Sequence, residues 1–146
     1  MSNRSRSTLF LIEQLIVIAV FAISAAACTG ILTSAYFTAM DSRDTSRAIL
    51  AAENGAESFK ATGGDIDKTA QLLGGISGRV DGETAVIVYY DKQWLVCAEN
   101  DALYRMLLTG GTVDPELALR TGDLFVEKLT GEILIAFPVA VRGEAG

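Results

Sequence analysis

The sequence contains no histidine. That absence removes the commonest general base and the commonest zinc ligand, so histidine-dependent hydrolase triads and histidine-containing metal sites are excluded. Cysteine is scarce as well. Cys28 and Cys97 are too few for a disulfide framework, and one falls in an apolar run while the other falls in an expected strand, so no intramolecular bridge is expected. Nucleotide-binding loops, nucleophile motifs and paired-carboxylate signatures are also missing. The expectation is a protein that is not an enzyme and uses no metal or cofactor.

Positive charge is in short supply over most of the chain. Of 12 Lys and Arg and 18 Asp and Glu, only Arg4, Arg6 and Glu13 precede residue 41, which leaves 10 basic and 17 acidic groups, or −7, in residues 41 to 146. Binding to nucleic acid is driven by cations that neutralise phosphates. An acidic remainder with no expected basic patch therefore argues against direct nucleic-acid contact.

What is present is a long apolar run, Leu9 to Met40, with Glu13 as its one ionisable residue and no proline. As a helix its 32 residues would extend about 48 Å, more than a hydrocarbon core of about 30 Å, so the helix should leave a bilayer before Met40. Residues 1 to 8 form a short polar and basic leader. A positive segment of this kind stays on the cytoplasmic side, which places the remainder outside. An ionised carboxylate within hydrocarbon costs about 2.5 to 3.5 kcal/mol on insertion scales, so Glu13 needs a reason to be there.

The helical period continues beyond Met40. Through Asp41 to Lys60, Ala48, Ile49, Ala52, Ala56 and Phe59 fall on one side, and Arg43, Arg47, Glu53, Glu57 and Lys60 on the other, with Gly63-Gly64 as the stop. Leu50 projects from the charged side, either as a stray exposed side chain or as a contact with another subunit. Four segments follow: a leader (1–8), an apolar membrane or core helix (9–40), an amphipathic continuation (41–64) and a small head (65–146). Asp65 is an expected N-cap for a short helix, Ile66 to Leu73, closed by Gly74-Gly75. Ala85 to Tyr90 and Trp94 to Ala98 read as a hairpin about Asp91-Lys92-Gln93, and Leu103 to Leu108 as a third strand. A Gly-rich loop with Pro115 leads to a second hairpin, Leu124 to Leu129 and Ile133 to Val141, about Thr130-Gly131-Glu132. Pro138 cannot donate to a ladder, which predicts an edge strand or a bulge. The expected fold is α+β, a long N-terminal helix packed on a small antiparallel sheet.

In the head, Tyr89, Tyr90 and Trp94 read as a cross-strand aromatic cluster and Cys97 as a small buried side chain. Calcium would demand several oxygen ligands, and the spacing of Asp91, Glu99 and Asp101 does not match the EF-hand pattern; these carboxylates read as solvated. In the apolar run, Ala22, Ser24 to Ala27 and Gly30 are small enough to let helices approach closely, with Ala22, Ala25, Ala26 and Gly30 as the expected packing positions.

The order of basic leader, hydrophobic residue, three further residues, Glu and a long apolar helix resembles the N-terminal signal of type IV pilins and type II secretion pseudopilins. The stretch that carries it here is LFLIE followed by QLIVIAVFAI, and the likeness extends over about residues 4 to 60. It implies cleavage between Thr8 and Leu9 by a prepilin peptidase, methylation of the new N-terminus, and Glu13 as the fifth residue of the mature chain. Thr8 stands where the family normally has Gly, and Gly30 lies near the place where many pilins have Pro. The resemblance further implies assembly with other pilin-like subunits, with Glu13 offsetting the buried amine of a neighbouring chain, and membrane lipid as the surroundings before assembly. Two other readings remain open from the residues. AISAAAC before Cys28 is similar to a signal-peptide end that would make a lipoprotein lipidated at Cys28, and a plain single-pass anchor could display a binding domain.

Overall fold

The computed structural model describes the backbone of residues 2–114 and 116–142, with side chains from Arg6 onward. Pro115, the side chain of Arg4 and residues 143–146 lie outside the described set. One helix, α1 (Ser2–Ala61), runs from the leader through the apolar run and ends at Ala61, three residues short of the expected end of the amphipathic continuation. The chain divides into two compact units, Met1–Ser42 and Arg43–Gly146. The described residues of the first unit are all helix, and every described side chain in it is exposed.

The second unit holds the remainder of α1, a short helix α2 (Ile66–Leu73) and a five-stranded antiparallel sheet. The strands are β1 (Ile76–Val80), β2 (Glu83–Tyr90), β3 (Tyr104–Asp114), β4 (Leu119–Lys128) and β5 (Ile133–Arg142), each beside its neighbour in sequence. The architecture is thus the expected α+β layout, a long helix on an antiparallel sheet. Pro138 sits in β5, an edge strand, where its missing N–H is tolerated.

Alternation decides which face of the sheet is buried. Val86, Val88, Met106, Leu108, Leu124 and Val126 point to one face and lose all access to solvent. Ala48, Ala52, Ala56 and Phe59 of α1 cover that face, at the helical spacing expected of them. Ile49, expected on the same side, lies at its margin with 37% exposure. Small side chains on α1 allow a close approach to the sheet. A Cβ built on Gly55 would lie 2.7 Å from the Met106 sulfur and 3.0 Å from a Leu124 methyl, so the helix rests on these two residues at the distance a glycine permits.

The turn from α1 to α2 is satisfied locally. Gly63 and Gly64 take positive φ (65° and 81°), and the Gly64 N–H donates to the Phe59 carbonyl at 2.8 Å. Asp65 caps α2 as expected, accepting from the Lys68 N–H at 3.1 Å, and this bond, first among several, holds its carboxyl below the usual range. The Thr69 hydroxyl donates to the Asp65 carbonyl at 2.5 Å and lies 2.7 Å from the Thr62 hydroxyl, so the buried Thr69 stitches the two helices together.

One expected hairpin is not formed. Trp94 to Ala98 is a loop, joined to β2 by a single bridge between Tyr90 and Val96. The reason is local: an Asp91 carboxylate oxygen accepts from the Gln93 and Leu95 N–H groups at 2.8 and 3.0 Å, and Trp94 is thrown into positive φ (63°). β2 pairs instead with β1 and β3. β1 is a short edge strand, ISGRV, turned into β2 by Asp81-Gly82, both at positive φ, as a two-residue hairpin requires. Tyr89 and Tyr90 also separate: Tyr90 stacks in the core with Trp94 and Tyr104, whereas Tyr89 points to the open face. The Trp94 and Tyr104 rings lie 4.1 Å apart.

Two outcomes follow from this packing. Gly55→Leu inserts side-chain atoms where Met106 already stands and should lower stability by about 1 to 3 kcal/mol, the cost of overpacking a filled core, read from the urea midpoint. The Tyr104 hydroxyl is pushed from 10 up to about 12, by burial first and then by its hydrogen bond to the Asp44 carboxylate. Its unfolded value is the lower one, so this contribution is complete below pH 10 and is lost as pH rises from 10 towards 12. Tyr104→Phe should cost about 1 kcal/mol at neutral pH through the lost hydrogen bond and should flatten the alkaline decline. Identical alkaline declines of the urea midpoint in the two proteins would refute it.

Candidate functional site

The head offers little for chemistry to act on. Among the described residues no group of three metal-ligating side chains comes together, and Asp91 uses one carboxylate oxygen to close its own turn. Cys97 is half-exposed rather than buried, because its loop does not join the sheet as a strand. Partial desolvation, and then the carboxylates of Asp91 and Asp101, hold its thiol above the ordinary range. That is the reverse of what an activated cysteine requires. Cys28 is free as well.

Two adjoining hollows lie where α1 ends and α2 begins. One, about 410 Å³, is bordered by Asp65, Ile66, Ser77, Thr84, Gly110 and Arg120. The other draws Lys60, Lys68, Arg120 and Arg142 together, a cationic grouping from residues far apart in sequence. Lys60 is already paired with Glu57 at 3.1 Å and Lys68 with Asp65 at 3.4 Å. Arg120 donates to the Gly64 carbonyl at 3.5 Å. Exposed, paired cations of this kind contribute little, and the grouping falls short of a phosphate track.

The segment with an unsolved physical problem is the apolar part of α1. The window of greatest apolarity makes α1 long and apolar enough to cross a membrane, and none of that window is buried within the chain. Four of its polar side chains are satisfied in place. The hydroxyls of Ser24, Thr29, Thr33 and Thr38 donate to the carbonyls four residues earlier at 2.9 to 3.0 Å, so they present little polarity to an apolar surrounding. Glu13 is different. Leu9, Ile12, Ile16 and Val17 surround it on the helix, and no described residue gives it a hydrogen bond or an ion pair.

The helix spreads the sequence-derived positions over several faces. Leu9 lies one turn before Glu13 and on its side of the helix, whereas Thr8, five residues before it, lies about 140° round. Ala22, Ala26 and Gly30 follow one another at four-residue steps, a row of small residues pointing away from Glu13 and adjoined by Ala25. A Cβ on Gly30 would meet nothing within 4 Å, so its surface is open to a partner. Leu50 belongs to the second unit and is 59% exposed on the outer side of α1, away from the sheet. A further position that the sequence reading passed over is Gly55, whose signal was its place among the alanines of the inner face. The comparisons with family models, with characterised proteins and with solved structures found no match.

Proposed function

We propose that the chain is a structural subunit of the pilin or pseudopilin type, held in the cytoplasmic membrane by the apolar part of α1 and assembled through it into a filament. The observation that carries this reading is Glu13, an exposed carboxylate to which no described residue gives a hydrogen bond or an ion pair, and the one charged side chain of the apolar run. A charge that is expensive in lipid and idle in the single chain acquires a use when a neighbouring chain brings a buried cation to it. After cleavage between Thr8 and Leu9, that cation is the amine of the neighbour's Leu9. The small residues Ala22, Ala25, Ala26 and Gly30 then let the helices approach each other closely, and Leu50 adds an apolar contact between subunits outside the membrane. The work is structural, not catalytic, and involves no cofactor or direct nucleic-acid contact. Its partners are further pilin-like subunits and the prepilin peptidase. On this reading the leader lies inside the cell, the head outside, and the assembled filament at the cell surface, which the basic leader before the apolar run supports.

Leaving one member of a buried ion pair alone costs about 3 to 5 kcal/mol, so Glu13→Ala should lower filament yield about a hundredfold or more. Membrane insertion should be unchanged or improved. Sedimented filaments and the carbonate-resistant membrane fraction read the two effects separately, and undiminished filaments in the variant would remove the proposed role. Sequencing the mature N-terminus tests the rest: a start at Leu9 supports the assignment, whereas a start at Cys28 or an intact leader refutes it.

A further inference from the structure

The loop between β2 and β3, residues 91–103, presents an apolar and acidic surface that the head itself leaves uncovered. Trp94 anchors the loop by packing with Tyr90 and Tyr104, and the Cys97 and Leu103 N–H groups donate to the Tyr89 and Tyr90 carbonyls at 3.0 and 2.9 Å. Held in this way, it turns Leu95, Val96 and Leu103 outward, 51 to 62% exposed. Glu99 and Asp101 are exposed in the same loop, and with Asp91 they outnumber its one cation, Lys92, by three to one. Glu99 accepts from the Tyr89 hydroxyl, and no described cation forms an ion pair with any of the three carboxylates. Apolar side chains gathered on a pinned loop mark contact with another protein, and the carboxylates select a partner surface that is basic.

The same compact unit carries a surface of the opposite kind. Along the outer side of α1, Arg43, Arg47, Leu50 and Asn54 follow one another at steps of four, three and four residues, the period of one helix face. All four are exposed, while Ala48, Ala52 and Ala56 face the sheet behind them. Asp44, next to Arg43, is turned to the Tyr104 hydroxyl, and neither arginine forms an ion pair among the described residues. Two guanidinium groups therefore stand beside Leu50, itself 59% exposed. The other cationic grouping, around Arg120, matches the loop less well, because it is lined by no large apolar side chain and its two lysines are already paired.

We infer that these two surfaces dock on each other between copies of the chain: Leu95, Val96 and Leu103 with Glu99 and Asp101 of one head receive Leu50 with Arg43 and Arg47 of the next. The apolar side chains pack at the centre and the charges pair around them, the core-and-rim arrangement of protein interfaces. Residues 41 to 146 carry −7, so two heads repel in most orientations, and a local basic strip selects the one in which acidic loop meets arginine. Because the two surfaces differ, each pair of copies leaves one of each unused, and the contact propagates as an open series instead of closing as a dimer. The inference rests on the self-association read under the proposed function and names the contact between heads.

The loop supplies one half of a cross-link, because Cys97 lies within it and is half-exposed. Asn54→Cys places the other half on the arginine strip without removing Leu50. The full chain with Cys28→Ser and Asn54→Cys is produced in its native cells and treated at mildly alkaline pH with a short bis-maleimide. A ladder of dimers, trimers and longer species made of this chain alone is expected, and chains that keep only one of the two thiols should give none. Arg43→Glu/Arg47→Glu, or Glu99→Lys/Asp101→Lys, should weaken the ladder about tenfold or more by setting like charges against each other. Combining all four reversals should restore it, since the reversed surfaces match again. The four positions are exposed, so the urea midpoint should stay at the wild-type value. Dimers without longer species, cross-links to a different protein in place of this chain, undiminished ladders in either double reversal, or no recovery on combining them overturns the inference. Filaments sedimented from the same cells separate the two readings: filaments without a ladder refute the docking alone, a ladder without filaments upholds the docking and refutes the filament, and the absence of both refutes both.

Discussion

The head depends on one close approach, that of α1 to the buried face of the sheet. A single-layer sheet of five strands cannot bury both faces, and here the covering element brings mostly alanines and a glycine to the contact. Short side chains on the helix shift the apolar volume onto the strands, where Met106, Leu108, Leu124 and Val126 supply it. Alternating large and small partners across a contact is how such layers reach the density of a protein interior. Residues 43–61 are consequently part of the head's core as well as the continuation of the apolar run, and no cut between helix and head leaves that core intact.

The apolar run follows a second constraint, polar satisfaction without water. Ser24, Thr29, Thr33 and Thr38 close hydrogen bonds onto their own helix, which fits them for an apolar surrounding without any partner chain. Glu13 cannot do the same, since an ionised carboxylate needs donors that an intact helix has already used. As the one charged side chain of the apolar run, Glu13 gives the functional reading its weight.

Regular periods made most of this legible in advance. The length of α1 beyond the membrane run, the Asp65 cap, the Gly74 stop and the Thr130–Glu132 hairpin each follow from side-chain chemistry that acts within a few residues. Two features escaped because their causes lie elsewhere. β1 contains Gly and Arg and is held by its pairing with β2, although Asp81-Gly82 was a usable sign of a hairpin. The Trp94–Ala98 stretch has strand-like composition, and the Asp91 side chain overrides it by bonding to the following N–H groups. At the candidate site, Glu13 was legible as an anomaly from sequence alone, whereas the cationic grouping around Arg120 depends on strand register and could not be read.

The strand order has a kinetic consequence. Each strand lies beside its neighbour in sequence, and three of the four ladders close through loops of two to four residues, the β2–β3 connection over residues 91–103 being the long one, so the entropy lost in forming most of the sheet stays small. Sheets built from such local pairings fold faster than those that wait for distant segments to meet. A head of this topology can complete itself soon after its own residues become available, while the exposed edges of β1 and β5 have had little time to find another chain.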